Sequence, residues 1–116
     1  MINQETIIAL ATPNGLGAIS VIRISGLNAI SITEKLFKPK GNKKLSNQKS
    51  HTVHLGHLIR NGHELDEVLV TLFKGPHSYT GENTIEISCH GSTYIQKEII
   101  NLFIDNGIRV ANPGEF

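Results

Sequence analysis

The chain has 116 residues, 39% of them hydrophobic and 18% charged, with a formal net charge of +1. That length gives one domain with a real core and no room for a second, the composition excludes a disordered chain, and the charge balance creates no whole-molecule pull toward nucleic acid. The single Cys cannot close an internal disulfide, no apolar run approaches the roughly 20 residues of a membrane span, and the N-terminus carries no signal-peptide pattern, so the expectation is a cytoplasmic protein without a membrane segment.

In chain order, Thr6 to Ala11 is a short apolar run closed by Thr12-Pro13 and predicts a buried strand. Asn14-Gly15-Leu16-Gly17 then turns the chain into Ala18 to Ser25, whose β-branched richness predicts a second strand. The Gly-x-Gly pair is not a dinucleotide fingerprint, which needs a third Gly and a following helix. Arg23 stands out among Ile19, Val21, Ile22 and Ile24. A guanidinium is always charged, so it either snorkels from a sheet edge or points into a cleft to hold an anion or carboxylate, and composition alone weighs these about evenly.

Gly26 to Phe37 predicts a helix with Ala29, Ile32, Leu36 and Phe37 on its apolar side, Ser25 or Asn28 as cap, and Pro39 ending it. Six of the eleven basic residues follow closely, at Lys35, Lys38, Lys40, Lys43, Lys44 and Lys49. Such a run can touch RNA phosphate, but with no aromatic residues interleaved a solvated connection is the favoured reading. His51 to Ile59 alternates as a strand. His51, His54 and His57 are not a chelate there, because His54 points away and the other two lie roughly 20 Å apart at 3.3 Å per residue. Asn61-Gly62 signals a tight hairpin into a strand over Glu64 to Phe73, with Val68, Val70 and Leu72 on one face. Asp66, Glu67 and Lys74 are expected to be solubilising edge charges.

The stretch from Gly75 to Gly91 opens as a turn-rich loop and hardens into a strand. Ile85, Ile87 and Cys89 fall on one side, and Thr84, Glu86, Ser88 and His90 form a polar row on the other. The alternation argues against a Cys89–His90 catalytic pair and for a buried structural thiol. Glu86 is the candidate working residue, since a mid-strand carboxylate between β-branched neighbours suits a pocket wall that accepts paired N–H donors; a solvated sheet face remains the alternative. Ser92 to Asn106 predicts the strongest helix, capped by Ser92 or Thr93, with Thr93 and Gln96 fitting a capping box. Ile95, Ile99, Leu102 and Phe103 form its stripe, Ile100 and Ile104 widen it toward a further partner such as another subunit, and Asn106-Gly107 stops it. Ile108 to Ala111 is a last short strand. The predicted order β-β-α-β-β-β-α-β implies an α+β domain with a mixed sheet backed by helices. No phosphate-binding Gly-x-x-x-x-Gly-Lys-Ser/Thr loop is present, so this segment alone is not expected to hydrolyse a nucleoside triphosphate.

Three ordered blocks carry a family likeness. Ala9-x-Ala11-Thr12-Pro13-x-Gly15-x-Gly17-Ala18-Ile19 with Val21-Ile22-Arg23-Ile24-Ser25-Gly26 is the first, Gly75-Pro76-x-Ser78-Tyr79-Thr80-Gly81-Glu82 with Glu86-Ile87-x-Cys89-His90-Gly91 the second, and Asn112-Pro113-Gly114-Glu115-Phe116 the third. Together they resemble the N-terminal domain of the MnmE/TrmE tRNA-modification GTPases. Departures are small: Asn14 and Leu16 in the first Gly loop, and Ser92-Thr93 after Gly91. The resemblance implies that residues 1–116 are the N-terminal folate-binding and dimerisation domain of a longer protein, cut after Phe116. A helical domain with an inserted G domain would follow and bring GTP, Mg and K. It implies a fold similar to the tetrahydrofolate-binding domain of aminomethyltransferases and a homodimer that binds 5-formyl-tetrahydrofolate or a related reduced folate. It also implies a flavin-dependent partner enzyme with which the whole protein modifies C5 of the tRNA wobble uridine. Arg23 and Glu86 fall on the family's folate-contacting arginine and glutamate; a further contact, a lysine just beyond the third block, lies outside the chain. The alternatives are a pure dimerisation module and a stand-alone folate-dependent one-carbon transferase.

Overall fold

The structure, a computed structural model, describes residues 5–12, 18–76 and 81–116. The turn expected at 14–17 and the centre of the loop at 77–80 lie outside these residues. Seven strands form one sheet: β1 (Ile7–Leu10), β2 (Ile19–Ser25), β3 (Phe37–Pro39), β4 (Thr52–Arg60), β5 (His63–Phe73), β6 (Thr84–His90) and β7 (Arg109–Val110). Two helices, α1 (Ala29–Leu36) and α2 (Thr93–Ile104), and one 3-10 turn at Leu45–Asn47 complete the domain. The strand order is β3-β4-β5-β6-β2-β1-β7, antiparallel except for the β1–β7 pair, so the expected mixed α+β sheet is present. No helix among the described residues is long and apolar enough to cross a membrane.

Strand alternation divides the sheet into two unlike faces. Ile8, Ile22, Ile24, Ile85, Ile87, Val70 and Leu72 have no solvent exposure, and α2 closes over them with Ile99, Leu102 and Phe103. The face of α2 also buries Gln96, whose Nε2 donates to Ser20 Oγ at 2.5 Å. Gln96 therefore belongs to the core and not to a capping box; the cap is Ser92, whose Oγ accepts the Ile95 N–H at 3.2 Å. The N–H groups of Asn106 and Gly107 donate to Phe103 O and Ile104 O and stop the helix as expected, Gly107 at φ 92°.

The first helix is shorter than its pattern. The backbone at Gly26 sits at φ 140°, and its N–H continues the sheet to Asn83 O at 3.0 Å, so helical geometry cannot begin there. Asn28 occupies the cap position without a side-chain cap bond, and its own N–H donates to Thr6 Oγ1. The helix buries Ala29, Ile30, Thr33 and Leu36, so Ala29 and Leu36 of the predicted stripe face the core, while Ile30 and Thr33 replace Ile32, which is only partly covered. Phe37 leaves the helix at once to begin β3, a strand that the pattern did not reveal.

β3 pairs antiparallel with β4 at the sheet edge. Gly56 pairs with Pro39, and a Cβ placed on it would stand 2.3 Å from Lys38 O and 2.6 Å from the Phe37 ring. The Asn61-Gly62 hairpin has φ 49° and 80°, the two positive values a type I′ turn demands, and a Cβ on Gly62 meets nothing. These two glycines predict opposite physics. Gly56→Ala is expected to lose about 2–3 kcal/mol by overpacking, whereas Gly62→Ala loses only about 1–2 kcal/mol of backbone strain. Urea unfolding of both variants checks the ranking, and a Gly56→Ala protein as stable as the parent would contradict the packing.

Candidate ligand-binding face

Among the described residues no helix covers the second face of the sheet. Across it, in register, stand Ala9, Arg23, Glu86, Thr71 and Val53 in one row, and Val21, Ser88, Leu69 and Leu55 in the next. Ile19, Val53, Leu55 and Leu69 are exposed at 64%, 56%, 38% and 43%. Val53 and Leu55 are thus on the open side, and it is Gly56 and Leu58 of β4 that reach the core.

Arg23 and Glu86 are direct partners across the β2–β6 ladder. Nε and Nη2 of Arg23 both donate to Glu86 Oε2, at 2.9 and 2.8 Å, with the two side chains 24% and 26% exposed. Both strands are interior, which rules out the reading of Arg23 as a cation snorkelling from a sheet edge. Glu86 Oε1 has no hydrogen-bond partner among the described residues. The carboxylate is therefore oriented by one oxygen and offers the other to the open side. Arg23 also lies 5.9 Å from the centre of the Phe116 ring, a cation–π distance that brings the third sequence block onto the first two.

The end of the chain is held in place by charge. Arg109 on β7 donates to Glu5 at 3.0 Å and pairs with Glu115 through two nitrogens. Glu115 also accepts the Asn112 N–H at 2.7 Å, and its own N–H returns to Asn112 O. The hydrogen bond from Arg109, then the Asn112 N–H, and last the Arg109 charge hold the Glu115 carboxyl below the ordinary carboxylate range. Sequence reasoning missed Phe116 as a neighbour of Arg23; a Pro-Gly turn followed by Glu is the signal that the chain folds back there.

The rest of the polar row is less uniform than its alternation. Thr84 is fully buried, with its hydroxyl 3.3 Å from that of Ser25, which donates in turn to Glu82. Ser88 borders a shallow depression of about 240 Å³ whose walls include Ile19, Leu55, Leu69 and His90. His90 is mostly exposed and its Nδ1 lies 2.7 Å from Asp66, which also accepts the His90 N–H at 3.2 Å. Asp66 is not an edge charge. It sits on an interior strand with a side chain only 9% exposed and substitutes for the ladder where β5 and β6 part. Lys74 is likewise tied down, through its N–H to Ser50 and its Nζ to Ser46 O.

The three histidines near β4 take separate partners. His51 sits edge-on to Phe73 at 5.1 Å, His54 Nε2 lies 2.8 Å from Thr52 Oγ1, and His57 meets Glu64 at 3.0 Å. Cys89 is buried against Ser20 O, on the opposite side of the strand from His90.

The open sheet face thus carries an oriented carboxylate–guanidinium pair among apolar side chains. The chain belongs to the family described as GTP-binding protein TrmE N-terminus, which matches residues 6–116. It is similar to proteins called "tRNA modification GTPase MnmE": 65% identical to that of Flavobacterium johnsoniae and 60% to that of Flavobacterium psychrophilum, in each case over all of this chain and 25% of the relative. The corresponding protein of Christiangramia forsetii is 54% identical over 97% of this chain and 24% of its own length. The chain thus spans about a quarter of the length of these curated relatives.

Burial, and then the negative charge of Asp66, push the Cys89 thiol up to about 11 from the ordinary 9.0. Alkylation by iodoacetamide at pH 8 is therefore expected to run roughly a hundredfold slower in the folded chain than in urea. The raised value also contributes stability that is complete below about pH 9 and is lost as pH rises through about 11. Rapid labelling of the folded chain at pH 8 would contradict this placement.

Proposed function

We propose that this chain is the folate-binding and dimerisation domain of a longer GTPase that modifies the wobble uridine of tRNA. The observation that carries the reading is the Arg23–Glu86 pair, on two interior strands and facing the open side of the sheet. The family membership and the three sequence blocks support it.

The residues fit a reduced folate of the 5-formyl-tetrahydrofolate type. A 2-amino-pyrimidinone ring presents adjacent N–H donors, which an oriented carboxylate such as Glu86 accepts; bonds to a charged group are the stronger kind. Arg23 holds that carboxylate in place and complements a ring oxygen or a carboxylate of the ligand. The apolar side chains of Ile19, Leu55 and Leu69 offer contact to a ring system beyond the pair. When bound, the folate would supply the one-carbon unit. The adjacent depression, about 240 Å³, falls below the roughly 300–1,000 Å³ of ordinary ligand pockets. The described face is therefore one wall of a pocket, and a second copy of the chain laid on the same apolar face would supply more of it. A twofold pairing of that kind uses one patch twice, which the exposed Ile19, Val53, Leu55 and Leu69 suit.

In this reading the fold is related to the tetrahydrofolate-binding domain of aminomethyltransferases. GTP hydrolysis with Mg and K belongs to the remainder of the longer protein, and C5 carboxymethylaminomethyl modification proceeds with a flavin-dependent partner in the cytoplasm. A phosphate-binding loop downstream in the gene would exclude a stand-alone one-carbon transferase.

Isothermal titration with 5-formyl-tetrahydrofolate tests the site. Glu86→Ala and Arg23→Ala are each expected to weaken binding by tenfold or more, consistent with roughly 1.5–3 kcal/mol for a hydrogen bond to a charged group. Thermal melts serve as the folding control, because loss of this cross-strand pair costs about 1 kcal/mol or less. Unchanged affinity in both folded variants would overturn the assignment. Sedimentation of the parent with and without folate addresses the assembly: a dimer that never binds folate would leave the pure dimerisation module as the correct reading.

A further inference from the structure

The basic segment that follows α1 becomes, in three dimensions, a ridge with a cavity on each side. Lys35, Lys43 and Lys44 line a cavity of about 470 Å³ between α1 and the connection to β4, with Phe37, Pro39 and Leu45 among its other walls. Lys40 and Lys43 line a second, of about 310 Å³, together with Val53, His54 and Leu55 of β4. All these lysines are exposed, and none has an ion-pair partner among the described residues. The one nearby acid does not neutralise them by contact. Glu34 accepts the Ser46 N–H at 2.7 Å; hydrogen bonding to Ser46, through its side chain first and then through this N–H, lowers the carboxyl below the ordinary range, with the charge of Lys44 a smaller cause.

We infer that this ridge is a contact surface for the phosphate backbone of RNA. Closely spaced, unpaired ammonium groups gain most from a ligand with regularly spaced negative charges, because binding releases the ligand's condensed counterions. The apolar side chains at the ridge are turned inward, Phe37 at 5% and Leu45 at 2% exposure. Among the described residues of the ridge no aromatic platform is therefore offered to bases, so the ridge should hold RNA by charge and position without reading its sequence. The second cavity shares Val53 and Leu55 with the open sheet face, so RNA lying on the ridge runs along the rim of the proposed folate wall. The inference rests on the proposed tRNA-modifying role and assigns the surface by which this domain meets that substrate.

The test measures binding of unmodified tRNA to the longer GTPase by fluorescence anisotropy at several salt concentrations. The double variant Lys43→Gln/Lys44→Gln is compared with Lys97→Glu on α2, which changes net charge by the same amount. The double variant is expected to bind about tenfold or more weakly near 0.1 M salt, and to lose about two from the slope of log affinity against log salt, while Lys97→Glu stays near the parent. An equal loss in both variants would reduce the effect to net charge and overturn the ridge, as would parent-like binding by the double variant. Loss of phosphatidylserine-vesicle binding in the double variant with tRNA binding intact would also overturn it, in favour of a lipid. If the parent GTPase binds no tRNA at all, the tRNA-modifying reading itself fails, a result distinguishable from failure of the ridge alone.

Discussion

The antiparallel pairing of β2 with β6 is the constraint on which the rest depends. It runs over seven residue pairs, from Ile19 opposite His90 to Ser25 opposite Thr84. Backbone bonds continue it past both ends, from Gly26 N–H to Asn83 O and from Gly91 N–H to Ala18 O. Ile22, Ile24, Ile85 and Ile87 all lose their solvent exposure in this register. A slip of one residue would exchange faces, sending a guanidinium and a carboxylate into the core and the isoleucines into water. Each isoleucine is worth about 1.5–3 kcal/mol of burial, and the charges would lose hydration as well, so the register is fixed by the core. The juxtaposition of Arg23 with Glu86 follows without any further specification.

That dependence explains why one part of the site was legible in the sequence and another was not. Residues 84–90 alternate strictly, so the separation of Glu86 from Cys89 could be read before any fold was known. The β-branched run at 19–24 likewise gave a strand on which Arg23 opposes its neighbours. What alternation cannot give is the pairing partner or whether a strand is interior, because both are properties of strand order. Arg23 consequently stood balanced between an edge and a cleft, and the family likeness was what joined it to Glu86. Asp66 was misread for the same reason: in sequence it is one of three acids at positions 64, 66 and 67, while in the sheet it accepts the His90 N–H where two strands diverge.

Local signals were reliable where the physics is local. Asn61-Gly62 makes the predicted hairpin, and Ser92 caps α2 through the bond that its position allows. The failures came where a tertiary contact overrode a pattern. Gln96 fits a capping box on paper, yet the core claims it through Ser20. Gly26 looked like a helix start, but Thr6 comes so close that a Cβ there would lie 2.6 Å from its Cα, and the chain stays extended for the ladder. β3 is only three residues long, contains Pro39, and depends on the absence of a side chain at Gly56. No windowed pattern reports a strand of that kind.

The two-sided sheet also sets what the domain can offer to others. The helix-covered side is closed by packing, so recognition falls to the open face and to the edges. Among the described residues of the two central rows on the open face, the charged ones are Arg23 and Glu86, and they pair through Glu86 Oε2. A neutral, hydrogen-bonding heterocycle is better matched to such a pair than an ion is, since it satisfies the remaining oxygen without leaving an uncompensated buried charge. The lysine ridge at the β3–β4 side has the opposite character: its exposed ammonium groups make no ion pair among the described residues. The two surfaces meet at Val53 and Leu55, where the proposed cofactor wall and the proposed polyanion rim share the same strand.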